Sequence, residues 1–65
     1  MHKKIKKLRE DKGMMQIDLA KVVGVSPAAV NQWEAGTKKP ELAKLVILAD
    51  FFQVSVDYLL GRDVG

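Results

Sequence analysis

The sequence predicts an all-α domain of five short helices, and three observations carry that expectation. Residues 16–34, QIDLAKVVGVSPAAVNQWE, have the pattern of two helices separated by a very tight turn. Serine and glycine stand where helices would begin and end. Apolar residues recur three and four apart on both sides of this central pair, at helical spacing.

The first helix is expected over residues 2–12, with Ile5 and Leu8 as its buried pair and Gly13 as its stop. Arg9 lies one place beyond Leu8, at the edge of that stripe, and Met14 then packs inward. Helix 2 runs over about residues 16–23, with Leu19, Ala20 and Val23 on one face. Its N-cap, Met15, is a poor capping residue, although Asp18 three places on suits the positive helix end. Met15 and Ile17 are both expected to be exposed.

Gly24 ends helix 2, because glycine adopts the left-handed conformation most readily. Val25 points back inward. Ser26 caps helix 3, and Pro27 takes its first position, where the missing N–H costs nothing. Val30 and Trp33 face the core, which makes Trp33 a packing residue rather than a base-stacking platform. The opposite face shows Pro27, Ala28, Asn31, Gln32 and Ala35.

Residues 35–40, AGTKKP, are a loop by composition. Helix 4 follows over about residues 41–52, with Leu42, Leu45, Val46, Leu48, Ala49 and Phe52 expected on the core side. Ile47 and Phe51 form a second stripe, exposed or half covered. Ser55 caps a short helix 5 over residues 56–60, ended by Gly61, and Val54 is placed to pack on Leu59 as a hydrophobic staple. Residues 1–65 are expected to be one domain with an ordered core of about 3–61 and a frayed tail from Arg62.

Size and composition narrow the functions. A chain of 65 residues has room for one small core, where apolar burial only narrowly exceeds the entropy of ordering. There is no cysteine, so neither a disulfide framework nor a thiolate metal site is expected. The longest apolar run, Leu45 to Ala49, is far too short to span a membrane, and the charged first twelve residues are unlike a signal peptide. A cytoplasmic location is the expectation. The net charge of +3 and the pI near 9.4 permit nucleic-acid binding without demanding it. Six of the eleven basic residues fall in the first twelve positions, mostly as a solvated helix face.

Catalysis has little to stand on. His2 is the only histidine and sits near the terminus without an evident partner, and Ser26 and Ser55 are helix caps. The eight carboxylates form no cluster at metal-ligand spacing, and there is no glycine-rich phosphate loop. No enzyme, metal or cofactor is expected.

Ala20, Gly24 four residues on and Val30 six beyond that have one geometric sense. A small residue lets two helices cross closely, glycine makes the turn, and a branched aliphatic plugs the angle from inside. That is the spacing of a helix-turn-helix, two helices crossing at roughly 90–120°. The stretch closely resembles the helix-turn-helix of the lambda-type phage repressors and Cro proteins. The likeness extends from Ile5 to Gly61 through IKKLRE, WEAGTKKP and VSVDYLLG. It implies a five-helix lambda-repressor-like domain whose helix 3 enters the DNA major groove, the docking for which these repressors are a standard example.

The resemblance also implies roles. Gln16, at the first position of helix 2, matches a glutamine that grips the DNA backbone, and the unpaired N–H groups of a helix start suit a phosphate. Bases would be met by Pro27, Ala28 and Gln32, with Asn31 beside them; an amide suits adenine and a methyl suits thymine. Pro27 and Ala28 depart from the family by offering no side-chain hydrogen bond, which shifts weight to Gln32 and to DNA shape. From their place just past helix 3, Lys38 and Lys39 are expected to flank the groove as phosphate contacts. Arg9 and Glu34 match a structural ion pair, and Gln53 stands where the family commonly has glycine, which implies a strained helix end.

The partner implied is double-stranded DNA, with a two-fold symmetric operator and a homodimer through helix 5 or a C-terminal region absent from this chain. The function implied is sequence-specific transcription regulation, by repression. A competing expectation is a protein-interaction module, such as an antitoxin, that docks through Met15, Ile17, Ile47 and Phe51.

Overall fold

In the computed structural model, which describes residues 2–62, five helices follow one another: α1 (His2–Asp11), α2 (Gln16–Val23), α3 (Pro27–Ala35), α4 (Leu42–Phe52) and α5 (Val56–Leu60). α2 and α5 occupy the expected residues. α1 stops one residue earlier than expected and α4 starts one later, after a buried Pro40. The fraying expected from Arg62 onward falls, beyond that residue, outside the described residues.

Local chemistry sets the boundaries. The Ser26 hydroxyl accepts from the Ala29 amide at 3.2 Å, and the Ser55 hydroxyl accepts from the Tyr58 amide at 2.9 Å. Met15 supplies no such oxygen. Instead the Asp18 carboxylate reaches back to accept from the Met15 amide at 2.8 Å, which fixes the chain's entry into α2. At the end of α2, Gly24 turns left-handed with φ +82°, and its amide and that of Val25 both donate to Ala20 O, at 2.8 and 3.0 Å.

One cluster of side chains forms the core. Leu19, Ala20 and Val23 of α2 meet Val30 and Trp33 of α3, and Ile5, Leu45, Leu48, Ala49, Phe52 and Leu59 close around them. Ala20 is buried where α2 approaches α3, so its single methyl sets how near the two helices come. Two expectations are corrected. Leu8 is only half-buried, while Arg9 beside it is buried. On α4, Leu42 is 70% and Val46 44% exposed. The buried set there is 45, 48, 49 and 52, so the apolar stripe is narrower than the composition of the helix suggests, and its first turn lies outside the core. Ile47 is exposed at the margin, and Phe51 is half-buried, edge-on to Phe52 with the Lys12 ammonium 5.3 Å from its ring centre. The Lys4 ammonium stands 4.1 Å over the Tyr58 ring and ties α1 to α5.

A buried polar link joins α1 to the end of α3. Arg9 Nε donates to Glu34 Oε2 at 2.7 Å and an Nη donates to Oε1 at 3.0 Å, a two-pronged pairing. The other Nη donates to Met14 O at 2.7 Å, and the Gln16 amide donates to Glu34 Oε1 at 3.1 Å. Hydrogen bonding to Glu34 raises the Arg9 pKa above its ordinary value, against a smaller opposing effect of burial. Arg9 is 9% and Glu34 8% exposed, so neither charge is well screened by water.

Two outcomes follow for stability. Glu34→Gln leaves the Arg9 guanidinium buried without its counter-charge and should cost about 3 kcal/mol, read as a lower urea midpoint at unchanged slope. A second variant tests the helix end at Gln53, the one non-glycine residue of positive φ, at +57°, among those described. The left-handed conformation costs about 1–2 kcal/mol in a residue with a Cβ, and glycine loses about 0.4–1 kcal/mol through its freer unfolded chain. Gln53→Gly should therefore gain about 0.5 kcal/mol, a rise in melting temperature of roughly 3 °C.

Candidate nucleic-acid interface

α3 turns two unlike faces to its surroundings because its apolar residues are confined to one side. Val30 and Trp33 anchor it in the core, and Glu34 is held from α1. On the other side Pro27, Ala28 and Asn31 are exposed and Gln32 is half-buried. With Ser26 and Pro27 opening the helix, the first turn presents a methyl and a pyrrolidine ring, and the polar groups come one turn later.

The end of α3 is drawn tightly into the following loop. Gln32 O accepts from the Thr37 amide at 3.1 Å, the Lys38 amide at 3.3 Å and the Thr37 hydroxyl at 3.3 Å. This wraps the chain back, so Lys38 and Lys39, both exposed, come to stand beside Gln32 rather than beyond it. Gln32, Trp33, Lys38, Lys39, Lys44 and the acidic Glu41 line a shallow cleft of about 270 Å³. Lys44 was missed by the sequence reasoning. The available signal was that it is the only basic residue in the otherwise apolar first two turns of α4.

Gln16 opens α2 and is half-buried. Its side chain is not the free amide expected from its terminal position, because one N–H is committed to Glu34. The hydrogen bond orients the group and leaves the second N–H available, beside the outward-pointing amides of the helix start. Glu34 is thereby balanced by Arg9 and Gln16, so the one acid of α3 does not oppose an approaching anion. The structure thus brings Gln32, Lys38 and Lys39 together and sets Gln16 against Glu34 at the C-terminal end of the same helix. Ala20, Gly24, Val30 and Trp33 hold the two helices in this arrangement from behind, without reaching the outer face.

A family model described as helix-turn-helix matches residues 5–59. An uncharacterized HTH-type transcriptional regulator of Bacillus subtilis, YobD, is 41% identical over 58 residues, which are 89% of this chain and 52% of that protein. Repressor protein C2 of Salmonella phage P22 is 38% identical over 65 residues, all of this chain and 30% of that protein. The chain therefore spans about half the length of the first of these relatives and under a third of the second. The crystal structure of the P22 c2 repressor in complex with a synthetic operator superposes with a TM-score of 0.89 at 37% identity, over 95% of this chain and 94% of that one. With the match extending through all five helices as well as the central turn, this chain belongs to the helix-turn-helix family of the lambda-type phage repressors.

Proposed function

We propose that the chain binds double-stranded DNA in a sequence-dependent way by laying α3 in the major groove, and that it represses transcription by occupying its site. The observation that carries this reading is the outward face of α3. It is unshielded along Pro27, Ala28 and Asn31, with Gln32 half-buried beside them, and Gln16 and the Lys38–Lys39 pair flank its C-terminal end. An α-helix fits the major groove, and positive or amide groups beside it suit the phosphates on either side. The operator complex of the similar P22 repressor supports the same docking.

In this docking Gln32 is the principal polar reader, Asn31 is its neighbour, and Ala28 offers a methyl-sized contact to thymine with Pro27 beside it. Gln16, Lys38 and Lys39 meet phosphates, and Lys44 joins them from α4. The role is one of binding, not catalysis, exercised where the DNA is, in the cytoplasm of a bacterium. A two-fold operator read by a homodimer fits the half-site that one copy of α3 covers. The alternative of a protein-docking module has weaker support. Met15, Ile17 and Ile47 are exposed, at 69%, 48% and 37%, but Phe51 is half-buried beneath Lys12.

Duplex binding should weaken steeply with salt. Three lysine–phosphate contacts, from Lys38, Lys39 and Lys44, give a log–log slope of about −2.7 per bound protomer, at about 0.9 for each contact. A flat dependence between low and physiological ionic strength would remove the phosphate contacts and the proposal with them.

A second measurement separates reading from holding. A preferred site is first selected from a random duplex pool, and variants are then titrated on it and on its single-base changes. Gln32→Ala should cost about 1–3 kcal/mol on the preferred site and relax choice at one base pair. Lys39→Ala should weaken all duplexes alike and lower the salt slope by about 0.9. Uniform weakening by Gln32→Ala would mean that α3 does not read bases through that residue.

A further inference from the structure

Lys38 and Lys39 also line a second cleft of about 370 Å³, whose other walls are His2, Gly36, Leu60 and Arg62. Three distant parts of the chain meet here: the start of α1, the loop after α3, and the end of α5. Every polar side chain among these lining residues is basic, and Leu60 gives the cleft an apolar wall. None of His2, Lys38, Lys39 and Arg62 makes a salt bridge among the described residues.

Some of the backbone acceptors at these helix ends are already used. The Gly36 amide caps the carbonyls of Gln32 and Trp33, and Thr37 and Lys38 also donate to Gln32 O. At α5, the Gly61 amide donates to Tyr58 O at 3.1 Å and the Arg62 amide to Asp57 O at 2.9 Å. The carbonyl ends of α3 and α5 favour cations beside them, and no salt bridge neutralises these side chains among the described residues. His2 lies against the turn at Gly36. A Cβ added at Gly36 would lie 3.2 Å from His2 Nδ1, so the absence of a side chain there lets the imidazole rest against the turn.

Gathered basic groups with no acid among the described lining residues, backed by an apolar side chain, raise the local potential and favour an anion with several acceptor oxygens. A guanidinium can grip two such oxygens at once, and two ammonium groups and an imidazole add further donors. We infer that this cleft binds a phosphate group, which His2 and Arg62 would hold together with Lys38 and Lys39, the two lysines that also flank α3. The same chemistry is offered by a backbone phosphate further along the bound duplex and by a free phosphate ion. The duplex source rests on the function proposed above; the chemistry of the cleft does not.

The test uses the whole chain and the variants Arg62→Gln and His2→Gln, both at exposed positions outside the core. One arm measures the salt slope of binding to the selected site and to an unrelated duplex. The other follows backbone amide resonances while inorganic phosphate replaces chloride at constant ionic strength. If the phosphate belongs to the duplex, Arg62→Gln lowers the slope by about 0.9 and weakens both duplexes by the same factor. If it is a free ion, the slope stays and phosphate shifts the His2, Gly36 and Arg62 amides, with the response reduced in both variants. An unchanged slope together with no phosphate response at these amides overturns the inference. Should the unaltered chain bind no duplex, the proposed function fails, and the phosphate titration alone decides the cleft.

Discussion

The buried carboxylate of Glu34 is the constraint on which the rest of the arrangement depends. It accepts two hydrogen bonds from Arg9 and one from Gln16, and so joins α1, the start of α2 and the end of α3 at one point. A charge in this position is costly unless it is fully partnered, which makes the link intolerant of small displacements. The angle at which α3 leaves the core is thereby coupled to the orientation of the Gln16 amide. A residue that never touches the outer face sets how two parts of that face stand to each other.

Packing completes what this polar link begins. A core of eleven buried side chains leaves little surplus over the entropy of ordering 65 residues, so each close approach matters. Ala20 is small where α2 nears α3, and Gly24 reverses the chain without strain. The positive φ of Gln53 is the counter-example, a left-handed position taken by a residue with a Cβ. α4 and α5 then cover the pair from behind with Leu45, Leu48, Ala49, Phe52 and Leu59, and leave the opposite face of α3 free.

Charge is distributed with similar economy. The lysines of α1 are mostly solvated, and Lys7 makes only an exposed pair with Asp11, a contact that contributes little. Lys38 and Lys39 are more consequential because the loop wraps back onto Gln32 O and sets them between two clefts, one beside the outer face of α3 and one between α1 and α5. Their location, more than the net charge of the chain, is what concentrates positive charge on this side of the molecule.

The sequence by itself determined the helices, their caps and the central turn, because each depends on residues only a few positions apart. Ser26 and Pro27 open α3, Gly24 closes α2, and the apolar stripes of α2 and α3 are visible as spacing. The outer face of α3 was legible for the same reason: it is what remains once Val30 and Trp33 are turned inward. Only the tertiary structure decided that Arg9 is more buried than Leu8, that Leu42 and Val46 lie outside the core, and that one Gln16 N–H is committed to Glu34. It also decided that Lys44 joins Gln32, and that His2 meets Arg62 across a shared cleft. Periodicity shows which side of a helix is apolar. It does not show how far the neighbouring helix extends over that side, or which distant polar groups arrive together, because both are set by crossings between segments remote in the chain.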